Sequence, residues 1–181
     1  MRPIRTAISS LAMASLASLA FSISMPAHAE SAKEIASMLD QSKFSIEQAL
    51  EKGLASAPGK VIDIQLDDDD KKGVRYELEV VNNAQENIEV YVDAVTGQAV
   101  IHKNDGKASR KDLGRLEQAK IDIAKAIQSA LAAVPGKAFN ADLDSHWGKT
   151  IYQVDILQTS GDIMEVKIDA QTGAVISSKR D

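Results

Sequence analysis

Asp93-Ala94-Val95-Thr96-Gly97 returns as Asp169-Ala170-Gln171-Thr172-Gly173, and Ala57-Pro58-Gly59-Lys60 returns as Val134-Pro135-Gly136-Lys137. Both pairs keep the same order, about 77 residues apart. That period is too long for a solenoid unit and suits a duplicated small domain. Everything between the paired motifs can then be read twice, and each reading checks the other.

Upstream of each Pro-Gly lies a helix. Ser45-Ile46-Glu47-Gln48 fits a capping box, in which the serine oxygen takes an early backbone N–H and Gln48 reaches back. Ile46, Ala49, Leu50, Leu54 and Ala57 recur on one helical face until Pro58-Gly59 stops it. In the second copy Asp122 takes the cap, Ile123, Ala126, Ile127, Ala130, Leu131 and Val134 form the stripe, and Pro135-Gly136 is the stop.

Strands follow each stop. Ile62, Ile64 and Leu66 alternate with polar residues, as do Phe139, Ala141 and Leu143. Val74, Tyr76, Leu78 and Val80 are matched by Thr150, Tyr152, Val154 and Ile156, and Ile88, Val90 and Val92 by Met164, Val166 and Ile168. Period-two alternation gives one buried and one wet face. The wet faces carry Arg75, Glu77, Glu79, Glu89 and Tyr91 in copy one, and Gln153, Asp155, Leu157, Glu165 and Lys167 in copy two. Thr96-Gly97 and Thr172-Gly173 turn the chain, with Asp93 and Asp169 placed to cap the turns. Val100-Ile101 and Val175-Ile176 end each unit as a short tail strand. The expected class is α+β: two repeated units, each with one main helix packed on an antiparallel sheet of three or more strands.

Two stretches precede the repeats. Ser31 to Lys43 and Lys107 to Lys120 read as lead-in helices, and the second can run on into the main helix from Asp112. Asn104-Asp105-Gly106 reads as the joint. The expected division is a signal peptide over 1–29, a first repeat over 30–104 and a second over 105–181.

Residues 1–29 read as an export signal: Arg2 and Arg5, an apolar stretch from Ile8 to Ile23, then Ala27-His28-Ala29 as a small-x-small cleavage site. Serines interrupt the stretch and Pro26 stops it short of a span, so no stable membrane anchor is expected. A periplasmic or secreted protein follows. The formal charge is -5, about -7 once Arg2 and Arg5 leave. That charge disfavours nucleic acid and anionic lipid as partners. There is no cysteine, so neither disulfides nor thiol chemistry enter, and with aromatics at 4% the core must be aliphatic.

The order helix, Pro-Gly, strand, strand-strand, Asp-x-x-Thr-Gly resembles the PepSY domain. Tyr91 to Gly97 and Lys167 to Gly173 carry it most specifically, with Ile46 to Gly59, Tyr76 to Val80 and Tyr152 to Ile156 beside them. The resemblance implies an α+β unit found in propeptides of thermolysin-like metallopeptidases and in many exported bacterial proteins, and a role in restraining peptidases. It brings no catalytic residue and no cofactor. No His-Glu-x-x-His occurs in the sequence, so any inhibition would act in trans. The expected partner is another exported protein, such as a peptidase or a cell-wall hydrolase.

Three local features compete with that reading. Asp67-Asp68-Asp69-Asp70, with Gly73 and Glu79, touches several positions of a calcium loop, but Lys72 occupies a ligand position and strands replace the flanking helices. A solvated hairpin loop is the better account, and no metal site is assigned. His146-Trp147-Gly148 takes the equivalent loop of copy two. Tryptophan is enriched at binding hot spots, so these three are the candidate partner contact; the bland alternative folds Trp147 back over the sheet edge. One histidine near Asp142 and Asp144 makes too few ligands for zinc. No nucleophile and base stand in a spacing that suggests a triad, so the protein reads as non-enzymatic. A small-ligand or metal-ion binder, using these loops, is the alternative function.

Overall fold

A computed structural model describes residues 32–69 and 73–180. The expected export signal over 1–29 and residues 70–72 of the acidic loop lie outside them. The chain order is α1 (Ala32–Gln41), α2 (Ile46–Ser56), β1 (Lys60–Asp69), β2 (Gly73–Val81), β3 (Glu86–Asp93), β4 (Ala99–Lys107), then α3 (Arg110–Gln118), α4 (Ile123–Ala133), β5 (Lys137–His146), β6 (Lys149–Leu157), β7 (Ile163–Asp169) and β8 (Val175–Arg180). Each copy is thus a lead-in helix, a main helix and a four-stranded antiparallel meander.

The caps behave as the sequence dictates. Gln48 N–H donates to Ser45 Oγ at 3.4 Å and Ser45 N–H to Gln48 Oε1 at 3.0 Å, closing the capping box. Asp122 Oδ1 accepts from Lys125 N–H at 2.8 Å. The second lead-in helix does not run on into the main one: α3 stops at Gln118, and the N–H groups of Lys120 and Ile121 turn away to Ala170 O at 2.8 and 3.1 Å. Copy one repeats this, with Lys43 N–H on Ala94 O at 2.8 Å. A buried tyrosine locks each junction: Tyr76 Oη donates to Phe44 O at 3.0 Å and Tyr152 Oη to Ile121 O at 3.1 Å.

The two meanders form one sheet, ordered β4-β3-β2-β1-β5-β6-β7-β8. β1 and β5 join them antiparallel through Asp63 opposite Asp142, Ile64 opposite Ala141 and Gln65 opposite Asn140. The order and this register place a pseudo-twofold axis between Ile64 and Ala141. Pairing is short because each strand carries a bulge beside the seam, at Ile62 in β1 and at Phe139 in β5. A bulge bends its strand and raises the local twist. The lead-in helices sit where the strands part: α1 touches β1, β5 and β6, and α3 touches β5 and β1. The main helices α2 and α4 cover the strands of their own copies and touch each other. One aliphatic core runs through both copies, from Ile35 and Leu50 to Ile127 and Ile168.

Three local expectations change. Asn104-Asp105-Gly106 is not the joint but a bulge inside β4: Asn87 pairs Gly106 and Ile88 pairs Asn104, with Gly106 at φ +78° and its N–H on Asn104 Oδ1 at 2.8 Å. The tail strands are correspondingly longer than expected. Leu157, placed on the wet face by alternation, is buried; it ends β6, a strand that α1 touches.

Candidate functional site

Trp147 stands at the tip of the β5–β6 hairpin. His146 pairs with Lys149, leaving Trp147 and Gly148 as a two-residue turn with φ +53° and +77°. Two positive φ values define the I′ geometry that matches strand twist and favours Asn-Gly. A bulky aromatic at the first position is strained. Trp147 is 92% exposed, so it does not fold back over the sheet. Its ring meets His146 edge-on, with centroids 6.0 Å apart. All three residues of the candidate contact, His146, Trp147 and Gly148, are exposed at this tip.

The base of the hairpin is braced by α3. Arg115 donates through Nε to Ser145 Oγ at 3.1 Å, pairs with Asp144, and holds Asp112 at 3.3 Å. Thr150 Oγ1 donates to Gln118 Oε1 at 2.8 Å. The tryptophan is therefore carried on a fixed platform, and little ordering cost remains for a contact made there. Arg115 and Gln118 lie about 30 residues before the hairpin, and nothing in local pattern joins them to it. The usable signal was only that α3 is short and rich in polar residues.

The acidic hairpin of copy one is occupied from within. Arg75 pairs with Asp69 at 2.8 Å and Asp67 at 3.5 Å, donates from Nε to Glu77 Oε1 at 2.8 Å, and lies 4.2 Å over the Tyr91 ring. Tyr91 stacks on His102 at 4.2 Å and donates to Glu89 Oε1 at 2.9 Å. The arginine takes the place at Asp67 and Asp69 that a metal cation would otherwise fill. Among the described residues, no three His, Asp or Glu side chains gather in a way that would hold a metal.

A second acidic locus was hidden in the sequence. Asp63 and Asp142 face each other across the seam. They line a polar cavity of about 280 Å³ together with Glu79, Lys111, Arg115 and Asp144. Burial, then the charges of Asp142, Glu79 and Glu77, pushes the Asp63 carboxyl up to about 7. Burial, then Asp155 and Asp144, lifts Asp142 to about 6, with Arg115 working the other way. Two further clefts, of about 410 and 360 Å³, are related by the pseudo-dyad: Tyr76, Leu131 and Lys137 line one, Tyr152, Leu54 and Lys60 the other.

The family pattern described as "Peptidase propeptide and YPEB domain", PepSY, matches residues 43–100 and 120–179. The chain belongs to the PepSY family. The first matched segment runs from α2 into the start of β4 and the second from α4 into β8, each leaving out its lead-in helix. No curated protein matches the sequence. Among solved structures the chain is similar to a protein described as a lipoprotein from Clostridium difficile 630, at 16% identity and a TM-score of 0.40, covering 82% of this chain and 91% of that one. Superposition that loose adds nothing to the PepSY assignment. No helix among the described residues is long and apolar enough to cross a membrane.

Proposed function

We propose that this tandem-PepSY protein is exported, carries out no chemistry of its own, and contacts and modulates another exported protein, such as a peptidase or a cell-wall hydrolase. Export rests on the signal pattern over 1–29. The class of partner rests on the family, whose description names a peptidase propeptide. The observation that carries a contact role is Trp147. The largest apolar side chain in the chain is kept in solvent, on a strained turn, at the end of a hairpin fastened by Arg115 and Gln118. Core stability gains nothing from that arrangement. A tryptophan so placed offers a large contact area at low entropy cost.

The test is affinity capture from an exported-protein fraction, mass spectrometry of what is retained, and titration of the partner against wild type and Trp147→Ala. The variant keeps its circular dichroism and denaturation midpoint, because the side chain touches no core. Partner affinity falls by about 2 kcal/mol, or roughly 30-fold, the loss typical of a hot spot. Equal affinity in the folded variant would move the contact elsewhere and sink this reading of the hairpin.

A further inference from the structure

The seam between the copies departs from the repeat at the two pairs that flank its axis. Asp63 of copy one corresponds in the repeat to Asn140 of copy two, and Gln65 to Asp142. Each copy thus brings one acid and one amide to the joint. Because β1 and β5 run antiparallel, the register sets acid against acid, Asp63 on Asp142, and amide against amide, Gln65 on Asn140. Side chains directly opposite in such a ladder have Cβ atoms about 4.5–5.5 Å apart, and like charges there repel. Amides in that position can bond one another; two carboxylates cannot, unless they hold a proton between them.

We propose that the seam is a proton-operated clasp: one proton held between the Asp63 and Asp142 carboxyls closes it, and its loss loosens the pairing of β1 with β5. Most of the charges around the pair are negative. From β2, Glu79 and Glu77 act on Asp63; from β6 and β7, Asp155 and Glu165 act on Asp142; Asp144 of β5 acts on Asp142 as well. All are acidic. From α3, Lys111, Asp112 and Arg115 line the same cavity; Arg115 draws Asp142 down somewhat but is bonded to Asp112, Asp144 and Ser145, and Lys111 lines the cavity without pairing to either carboxyl. Among the described residues neither Asp63 nor Asp142 forms an ion pair. Burial and like charge both act against the doubly ionised state, in agreement with the raised values of both carboxyls. The mechanical consequence follows from the shortness of the joint: three residue pairs connect the two meanders, and one of them is this pair.

The sign is set by linkage. The closed seam holds a proton to about pH 7, whereas the opened carboxyls release it near about 4. Opening therefore sheds a proton between those values and becomes easier by up to about tenfold per pH unit. Below about 4 the clasp is at its tightest, and above about 7 it has lost this contribution.

Hydrogen exchange by mass spectrometry on the full chain tests this directly. Exchange in peptides spanning residues 60–66 and 137–143, divided by the intrinsic chemical rate, is followed from pH 5 to pH 8. Peptides 88–92 and 164–168, inside each copy, serve as reference. In the wild type, seam protection falls at least tenfold relative to the reference between pH 5 and 7.5. In Asp142→Asn, and separately in Asp63→Asn, the fall shrinks, since the facing charge is gone while burial still raises the acid that remains; with the two substitutions combined it disappears. A fall of the same size in both variants, no fall in the wild type, or an equal fall in the reference peptides would each overturn the proposal. So would loss of folding in both variants at pH 5, which would make the carboxyls structural rather than proton-sensing.

Discussion

Trp147 holds a backbone angle that asparagine or glycine adopts at less cost. A non-glycine residue held in such a region costs on the order of 1 kcal/mol or more. Trp147→Asn creates the Asn-Gly pair the turn favours and is expected to stabilise the protein by about 1 kcal/mol, read as a higher denaturant midpoint at unchanged slope. An unchanged or lower midpoint would show that Trp147 contributes to folding. A gain, set beside lost partner affinity in the same variant, would mean that stability is given up at this residue for contact. Other single residues are less ambiguous. Gly59 and Gly136 read in the sequence only as the second half of a helix stop. The structure gives them a different job: a Cβ at Gly59 would lie 2.5 Å from Val81 O, and one at Gly136 2.5 Å from Leu157 O. Neither has a positive φ. Glycine is needed there because backbone meets backbone as the first strand of each copy leaves its helix.

The helices and strands were legible because each is encoded twice and by independent signals. α2 and α4 have cap, stripe and stop; β3 alternates over a buried face, and β2, β6 and β7 alternate over part of their length. What alternation could not show is a bulge. Ile62 and Phe139 obey period two on paper, yet each adds a residue to its strand, and the resulting bend decides where pairing across the seam ends. The break between α3 and α4 was also invisible, because it is set by Ala170 O and Tyr152 Oη, both far along the chain. Duplication offers a further test of how an element fits its sheet. Gly53 of α2 faces Leu78, and a Cβ there would come within 2.5 Å of Leu78 Cδ2. At the corresponding positions copy two has Ala130 in α4 and Val154 in β6, both fully buried. The copies have traded a methyl between helix and strand. Gly53→Ala gains up to about 1 kcal/mol of helix propensity but overpacks a closed core, a cost of about 1–3 kcal/mol. A net loss is expected. Leu78→Val alone leaves a gap worth about 1 kcal/mol. Together they rebuild the pair found in copy two, so the double variant should be more stable than Gly53→Ala alone. A double-mutant cycle with coupling under about 0.3 kcal/mol would refute the exchange.

At the scale of the whole molecule, two family segments and two legible repeats do not announce one body. Nothing in either repeat marks β1 or β5 as the strand that will lose its edge, since each looks like the first strand of a self-sufficient meander. The structure makes the copies interdependent. α1 leaves its own repeat to touch β5 and β6, α3 touches β1, and Ile64 and Ala141 are buried at the axis. Copy one taken alone, residues 32–107, would expose the β1 edge and the face of α1 that carries Ile35, Met38 and Leu39. An open, apolar-flanked edge recruits another strand. The most available partner is a second β1, related by the same axis through Ile64, and that pairing sets Asp63 against Gln65, an acid against an amide. The fragment is therefore expected to be a symmetric dimer that rebuilds the eight-stranded sheet, its mass read by light scattering behind size exclusion. Ile64→Lys, which places a charge on the axis, should return it to an unfolded monomer. If instead the 32–107 fragment is a folded monomer with a denaturant midpoint close to that of the full chain, the seam contributes little and the copies are two domains that happen to touch.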